Sequence, residues 1–294
     1  RYQNHMIKSF NYLIQALFIY LFFFIGKLIG LALSRKFFSF VFRKLGPLIK
    51  SEKIINQNLD KLPGNFSPQE KKQIISNMWS NYGMTFIEYI FLNKFRTNDS
   101  HIEIEGENFL KEISKKNKPV IFFSGHFANF ELMSMEITKK DINLATIYRP
   151  LNNFFLNPLM EYLRMKYICP NQIPKGRMGM REIISKVKDG YSIALMVDQR
   201  VSEGPRALFF NKPAHTTTIP AQLALKYDCK LVPISLERKE GPNFEMTIHE
   251  PYKIEKTGND EEDTKNITLK INQLIEKMIL NNPKQWIWSH NRWK

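Results

Sequence analysis

The hydrophobic positions of the chain form one long apolar segment at the N-terminus, followed by shorter alternating patterns. Residues 10–33 read "FNYLIQALFIYLFFFIGKLIGLAL", with an uninterrupted apolar stretch at 16–26 and a single charge, Lys27. A helix of about 20 apolar residues spans roughly 30 Å of hydrocarbon, and Lys27 makes this segment borderline. The pattern predicts a membrane helix that either crosses the bilayer or lies deep in its interface, with a buried core helix as the alternative.

Helical and strand patterns alternate along the rest of the chain. The turn "LPGNFSPQE" predicts a helix capped by Ser67, with Pro68 at its first position and Glu70 as capping partner, which continues to about residue 92. The strand patterns "HIEIEG", "KPVIFFS", "NLATIYR" and "SIALMVD" are separated by helical ones, and a helix, two strands and a last helix over about 260–280 follow. This order predicts an α/β fold with a largely parallel central sheet flanked by helices, in which ligands bind at the carboxyl ends of the strands.

The net charge of the chain indicates what kind of partner it binds. The 43 Lys and Arg residues outnumber the 28 Asp and Glu residues, and the resulting charge of +15 predicts an anionic partner such as nucleic acid, a membrane surface or an acidic substrate. The basic, phenylalanine-rich stretch "SRKFFSFVFRKLGPLIKSEK" follows the apolar segment, which suits a helix in the headgroup layer and predicts that the bulk of the chain is cytoplasmic. Cys169 and Cys229 lie far apart without a CxxC motif, so neither a disulfide framework nor a zinc site is indicated.

The candidate chemistry lies in "SGHFANFE", residues 124–131, directly after the predicted buried strand "PVIFF". Gly125 allows a tight turn there, and a helix after it would hold His126 near its N-terminus, where the helix dipole favours a neutral imidazole. We expect Glu131 to reach back from the first turn and orient one ring nitrogen, so that His126 acts as a base on a substrate hydroxyl. By itself, such a pair fits a helix cap beside a solvated carboxylate better than it fits a catalytic pair.

The motif "GHFANFE" resembles the H-x-x-x-x-D/E signature of glycerolipid-type acyltransferases, and its surroundings resemble the late acyltransferases of bacterial lipid A biosynthesis, the lauroyl and myristoyl transferases. Further similar segments lie along most of the chain in the family order: "NQNLDKLPGNFSPQE" before the motif, and "YRPLNN", "PKGRMGMRE", "VDQRVSEGP", "FFNKPAHTTTIPAQLA" and "PKQWIWSHNRWK" after it. The third of the family's active-site motifs is "VDQRVSEGP" and not the "PEGT" of glycerophosphate acyltransferases, which favours the lipid A branch. The resemblance implies a membrane anchor with a basic interfacial segment at 1–55 and an acyltransferase domain at 56–294.

The resemblance also implies a reaction. A fatty acyl chain would pass from an acyl carrier protein thioester to a hydroxyl of a lipid A precursor, Kdo-linked lipid IVA, at the cytoplasmic face of the bacterial inner membrane, where a single N-terminal helix anchors the enzyme. His126 would be the general base and Glu131 its orienter, with no cofactor and no metal. Polar residues near strand ends would bind phosphate or carboxylate groups of the substrates, with structural or solvated roles as the alternative. These candidate substrate-binding residues are Arg149, Lys175, Arg177, Asp198, Gln199 and Arg200.

Three other functions are compatible with parts of the sequence. The same acyl transfer to another glycolipid, such as a phosphatidylinositol mannoside, would use the same motifs. A nucleic-acid-binding module would explain the charge, but no DNA- or RNA-binding motif is evident, so we expect no nucleic-acid partner. A catalytically silent membrane scaffold would not need the pair His126 and Glu131. The tail "WIWSHNRW" predicts a packed terminus in preference to a membrane-facing aromatic edge.

Overall fold

The computed structural model describes residues 2–64, 66–116, 118–240 and 243–294. In chain order these residues form α1 (Tyr2–Ile49), α2 (Glu52–Leu59), α3 (Pro68–Glu88), α4 (Leu92–Thr97), β1 (Ile102–Glu105), α5 (Glu107–Lys116), β2 (Val120–Ser124), α6 (Glu131–Thr138), β3 (Leu144–Tyr148), α7 (Asn157–Tyr167), β4 (Asn171–Pro174), α8 (Arg177–Lys188), β5 (Ser192–Met196), β6 (Arg206–Phe209), β7 (Lys212–His215), α9 (Ile219–Tyr227), β8 (Lys230–Arg238), β9 (Phe244–Ile248) and α10 (Asp260–Asn281), with short 3-10 turns at Tyr89–Phe91 and Pro283–Gln285.

A central sheet carries the fold, with strand order β1-β9-β8-β2-β5-β3-β4. Only the β8–β9 pair of this sheet is antiparallel, and β6 and β7 form a separate antiparallel hairpin. Every residue of the middle strand β2 is buried, because helices cover both faces of a parallel sheet. This is why its sequence, "VIFFS", is almost continuously apolar. The predicted α/β fold with a largely parallel central sheet is confirmed.

Local signals located most helices but not all of their ends. The predicted cap of α3 is confirmed, because Ser67 Oγ accepts from the Glu70 N–H at 3.2 Å and Glu70 Oε2 accepts from the Ser67 N–H at 2.7 Å. The single helix predicted to reach about residue 92 is divided by the 3-10 turn Tyr89–Phe91 into α3 and α4. The short strands β4, β6 and β7 lie in segments that carry no strong strand pattern and were not predicted.

The N-terminal helix α1 is long and apolar enough to cross a membrane. It bends at Gly30, whose φ of 80° lies outside the helical region, and packs along α3 beyond the bend. A Cβ on Gly83 of α3 would lie 2.1 Å from the Phe38 carbonyl oxygen, so glycine is what allows this close approach. Before the bend, the Tyr20 hydroxyl donates to the Phe155 carbonyl at 2.8 Å, which ties α1 to the β3–α7 connection.

The helices form two layers on opposite faces of the sheet. Helix α7 packs through Leu163 into the apolar cluster of one face, whereas α8 packs through Ile183 and Val187 into the cluster of the other face. The aromatic tail joins the second cluster with Trp286 and Trp288 almost fully buried, so the predicted packed terminus is confirmed. Both cysteines are free and buried. The edge strand β4 therefore has α7 on one side and α8 on the other.

Candidate active site

A cavity of about 280 Å³ lies at the carboxyl ends of β2, β3 and β5, the edge where the strand pattern predicts a ligand site. Five of the predicted site residues line it, namely His126, Glu131, Arg149, Lys175 and Gln199. Further polar side chains, among them Tyr148 and Arg164, line the cavity together with Phe130 and aliphatic residues, so the wall is mixed in polarity.

The imidazole of His126 is held by the carboxylate of Asp198. His126 Nδ1 lies 2.7 Å from Asp198 Oδ1, and the backbone N–H of His126 donates to Asp198 Oδ2, also at 2.7 Å. An ionised carboxylate can only accept hydrogen bonds, so it holds a proton on Nδ1 and turns Nε2 to the other side of the ring. Gln199 Nε2 is 3.4 Å from His126 Nε2.

Asp198 is buried and fully engaged. Its side chain is fully buried, and the Trp286 indole N–H donates to Oδ2 at 2.8 Å. Burial by itself raises the pKa of Asp198, but the adjacent His126 and the hydrogen bonds from His126 and Trp286 lower that pKa below its ordinary value. The carboxylate is thus ionised at neutral pH, and it is the orienting group of the site.

The expectation that Glu131 orients His126 is wrong. The Glu131 carboxylate accepts from Arg164 Nε at 2.8 Å and from the Tyr89 hydroxyl, and it forms an ion pair with the same guanidinium. Burial lowers the pKa of Arg164, but the facing Glu131 raises it above its ordinary value. The physical reason lies in Ala128, whose left-handed φ of 47° delays the start of α6 to Glu131 itself. Glu131 is then the first residue of the helix and contacts α7.

The loop between β2 and α6 is fixed by α3. Asn81 Nδ2 and Thr85 Oγ1 both donate to the carbonyl of Ala128 at 3.1 Å, so the backbone carbonyl of this left-handed residue is hydrogen-bonded. The next side chain, Asn129, donates through Nδ2 to Glu88 Oε2 at 2.8 Å. These bonds fix the β2–α6 loop, which carries His126, in one conformation.

Glu88 is itself the centre of a buried ion cluster. Arg238 forms two hydrogen bonds to its carboxylate, and Arg35 of α1 donates to Oε1 at 2.6 Å. Burial raises the pKa of Glu88, but the two guanidinium groups together lower it below the ordinary value. Helix α1, helix α3 and the β2–α6 loop therefore meet at one carboxylate.

The remaining predicted site residues occupy different surroundings. Arg149 and Lys175 are exposed and belong to the rim of the cavity. Arg177, the first residue of α8, is exposed and lies outside the residues that line the cavity. Arg200 also lies outside that lining, and its backbone N–H donates to His290 Nε2 at 2.9 Å. Arg177 and Arg200 thus lie outside the cavity lining, as does Asp198, which reaches the site through His126.

Several functional residues were missed from the sequence. Arg164 and Tyr89 carry no motif of their own, and each sits in an ordinary amphipathic or apolar segment. Trp286 belongs to the tail motif "PKQWIWSHNRWK", which indicated the family but not the contact with Asp198 across 88 residues. His290 is in the same motif, and burial lowers its pKa to about 4.

Known proteins with similar sequences point to one activity. A sequence model of bacterial lipid A biosynthesis acyltransferases matches residues 4–294. The lipid A biosynthesis palmitoleoyltransferase of Escherichia coli (strain K12) is 25% identical over 279 residues, which cover 92% of this chain and 84% of that protein. The lipid A biosynthesis lauroyltransferase of the same organism is 23% identical over 250 residues, covering 82% of this chain and 78% of the relative.

A relative from Haemophilus influenzae, a lipid A biosynthesis acyltransferase, is 25% identical over 251 residues, 82% of this chain and 76% of that protein. The family match spans the β2–α6 loop and the strand ends that build the cavity, and it includes the aromatic tail. The family match also includes the apolar helix α1. The chain is an acyltransferase, and it belongs to the bacterial lipid A biosynthesis acyltransferase family.

Proposed function

We propose that this acyltransferase transfers a fatty acyl chain from an acyl carrier protein thioester to a hydroxyl of a lipid A precursor, Kdo-linked lipid IVA, with His126 as the general base. The observation that carries the proposal is the pair His126–Asp198, which turns Nε2 of the imidazole away from the carboxylate at a cavity of the sheet edge. A base of this kind needs no nucleophilic serine or cysteine, because the acceptor supplies the attacking hydroxyl.

In the proposed step the acceptor oxygen bonds to the thioester carbonyl carbon while its proton passes to His126 Nε2. The tetrahedral intermediate then collapses, the carbon–sulfur bond breaks, and the departing sulfur takes the proton from the imidazolium. Asp198 stays ionised throughout and stabilises the imidazolium that forms between the two transfers. The amide of Gln199, next to Nε2, is positioned to donate to the oxyanion.

Glu131 has a different role in this proposal. Its carboxylate holds the guanidinium of Arg164, and both side chains line the cavity. A buried guanidinium that is fixed by a carboxylate and a phenol keeps one geometry, so Arg164 can bind a substrate oxygen without reorganising. Glu131 is thus assigned to positioning Arg164 and not to the proton transfer.

The surroundings of the cavity support a membrane-bound acceptor. The β3–α7 connection packs on α1 through Asn153, which donates to the Tyr12 carbonyl at 2.8 Å, and through Phe154, whose ring meets the Tyr12 ring edge-on at 6.0 Å. Phe154 nevertheless remains 53% exposed, and Met165 of α7 is 52% exposed. These apolar groups continue the exposed surface of α1, so an acceptor lipid would reach the cavity from the bilayer.

The proposed orientation follows from charge. The cations after the apolar half of α1 favour the cytoplasmic face of the bacterial inner membrane.

Arg149 on the cavity rim would pair with a phosphate of the acceptor, since a guanidinium binds phosphate in a bidentate manner.

The direct test is an acyl-transfer assay read by mass spectrometry. Membranes containing the full chain are incubated with a tetra-acylated lipid A precursor bearing its inner sugars and with acyl carrier proteins loaded with medium to long chains. We expect a product heavier by one acyl chain, absent with His126→Ala that still folds in the membrane. Full activity in His126→Ala would overturn the mechanism. Activity restricted to another glycolipid, such as a phosphatidylinositol mannoside, would keep the chemistry and replace the acceptor.

A further inference from the structure

Helix α8 carries a row of cations on its solvent face. Arg177, Arg181 and Lys188, which we call the basic stripe, are all exposed. At about 100° per residue their side chains fall within roughly 40° of one line along the helix. The acids of this region, Glu182 and Asp189, fall on the other margin of the exposed surface, roughly 120–140° from Arg177.

The stability of α8 does not explain this row. Arg177 and Arg181 are like charges four residues apart, an arrangement that destabilises a helix slightly. Arg177 is also the first helical residue, where the helix dipole disfavours a cation. Within the described parts of the chain, no hydrogen bond or ion pair engages the side chains of the basic stripe, whereas many other surface lysines, such as Lys140 with Glu107, are paired. The stripe is therefore available to an outside anion.

The position of the stripe connects it with the active site. Lys175, two residues before α8, lines the cavity, so the stripe begins at the cavity mouth. Helix α8 lies on the opposite face of the sheet from α7, and Leu159 of α7 packs with Phe22 and Phe23 of α1. The cavity thus has the apolar side of α7 and α1 on one flank and a basic helix on the other.

A membrane surface fits the stripe poorly. A helix in the headgroup layer presents a broad apolar face to the acyl chains. The exposed residues of α8 are almost all charged or polar, with Met178 as the large apolar exception. A protein partner with a complementary acidic surface fits this face better.

We propose that α8 is the docking surface for the acyl donor, an acidic carrier protein that lays a negatively charged helix along the basic stripe. Its phosphopantetheine arm then enters the cavity past Lys175, whose ammonium pairs with the phosphate of the arm. Donor and acceptor thus reach His126 from opposite flanks. This inference rests on the proposed function, because it assumes the thioester of a carrier protein as donor.

The test compares two variants with the same change of charge. Arg181→Glu/Lys188→Glu reverses the stripe, and Lys265→Glu/Lys270→Glu reverses two exposed lysines in the first half of α10 as the matched control. Binding of a fluorescent acylated carrier protein to the detergent-solubilised full chain is followed by anisotropy at low and high salt. We expect the stripe variant to bind about tenfold more weakly at low salt, the control to bind like the wild type, and the difference to shrink in salt.

A kinetic measurement separates docking from chemistry. The ratio of kcat/KM between acyl carrier protein and acyl-pantetheine, which lacks the protein, should fall about tenfold in the stripe variant and stay constant in the control. Equal binding by both variants, or no binding of the carrier by the wild type, would overturn the docking proposal. If the stripe variant bound the carrier protein normally but lost binding to anionic vesicles, the docking proposal would also be overturned, and α8 would be a membrane contact. A wild type that binds the carrier at α8 but transfers no chain would contradict the proposed reaction and not the docking surface.

Discussion

Asp198 joins three donors that come from two distant parts of the chain. Its two oxygens accept from the ring and backbone of His126 and from the indole of Trp286. In a buried site of low dielectric these charge-assisted bonds are strong, and a broken one leaves a costly unpaired group. The carboxylate therefore determines both the tautomer and the orientation of the imidazole.

Asp198→Asn tests this role with little change of shape. The amide replaces one acceptor oxygen by a donor, so the ring would take the tautomer with a proton on Nε2 and lose its function as a base. We expect kcat to fall by about 10³- to 10⁴-fold, measured in the same acyl-transfer assay. A small loss of kcat with intact folding would contradict an orienting role for Asp198.

Glu131→Gln is the comparison variant. It removes the charge that holds Arg164 but leaves the pair His126–Asp198 untouched. We expect it to lose activity to a smaller extent, with kcat at least about tenfold above that of Asp198→Asn. If Glu131→Gln instead lost more kcat than Asp198→Asn, the orienting role would return to Glu131.

At the scale of elements, α3 is the part that connects the apolar helix α1 with the β2–α6 loop that carries His126. On one side it packs on α1 at Gly83 and binds Arg35 through Glu88, and on the other it binds Ala128 and Asn129 of the loop. A displacement of α1 would thus reach the segment that carries His126 through a single rigid helix. These contacts require that α1 and α3 pack at a short distance from each other.

Gly83→Ala tests the contact between the two helices. In an isolated helix this change stabilises by about 1 kcal/mol. Here the added methyl would lie 2.1 Å from the Phe38 carbonyl oxygen, a backbone atom, so we expect net destabilisation of about 1–2 kcal/mol and lower acyl transfer. The thermal midpoint of the full chain in detergent measures it, with Gln73→Ala on the exposed side of α3 as control. A midpoint above that of the wild type would contradict the close packing of α1 on α3.

At the scale of the whole molecule, apolar and basic surfaces lie on different sides of one active site. The exposed apolar residues of α1 and α7 lie on one side, and the basic stripe of α8 lies on the other. A charge of +15 suits a protein that meets both an anionic lipid surface and an acidic protein. The excess charge alone does not distinguish these partners, and its distribution over the fold is the basis for the two surfaces that we propose.

The whole fold is expected to weaken in mild acid because of His290. Burial lowers the pKa of His290 from 6.5 to about 4, so between these values the unfolded chain binds a proton that the folded chain does not. Stability is then fullest above about pH 6.5 and falls as the pH drops towards 4. We expect the urea midpoint of the wild type to fall more steeply from about pH 7 to about pH 5 than that of His290→Gln. Equal slopes would show that His290 takes up its proton without unfolding.

The sequence by itself determined the features that depend on neighbours along the chain. The cap at Ser67, the buried strand β2, the apolar helix α1 and the alternation of helices and strands all follow from local patterns of polarity and capping, and the structure confirms them. Parallel strands end at one edge of the sheet, and five of the residues predicted on this basis do lie around one cavity. Short strands such as β4 were not predicted, because pairing with a neighbouring strand and not their own composition makes them strands.

Only the tertiary structure decided which carboxylate serves His126. In sequence Glu131 is near and Asp198 is 72 residues away, yet Asp198 is the partner. The strands β2 and β5 lie side by side, which brings their ends together. One left-handed residue, Ala128, meanwhile turns Glu131 towards Arg164. Pairing of distant strands and the conformation of a single loop residue are set by the packed fold, so no local pattern could have revealed them.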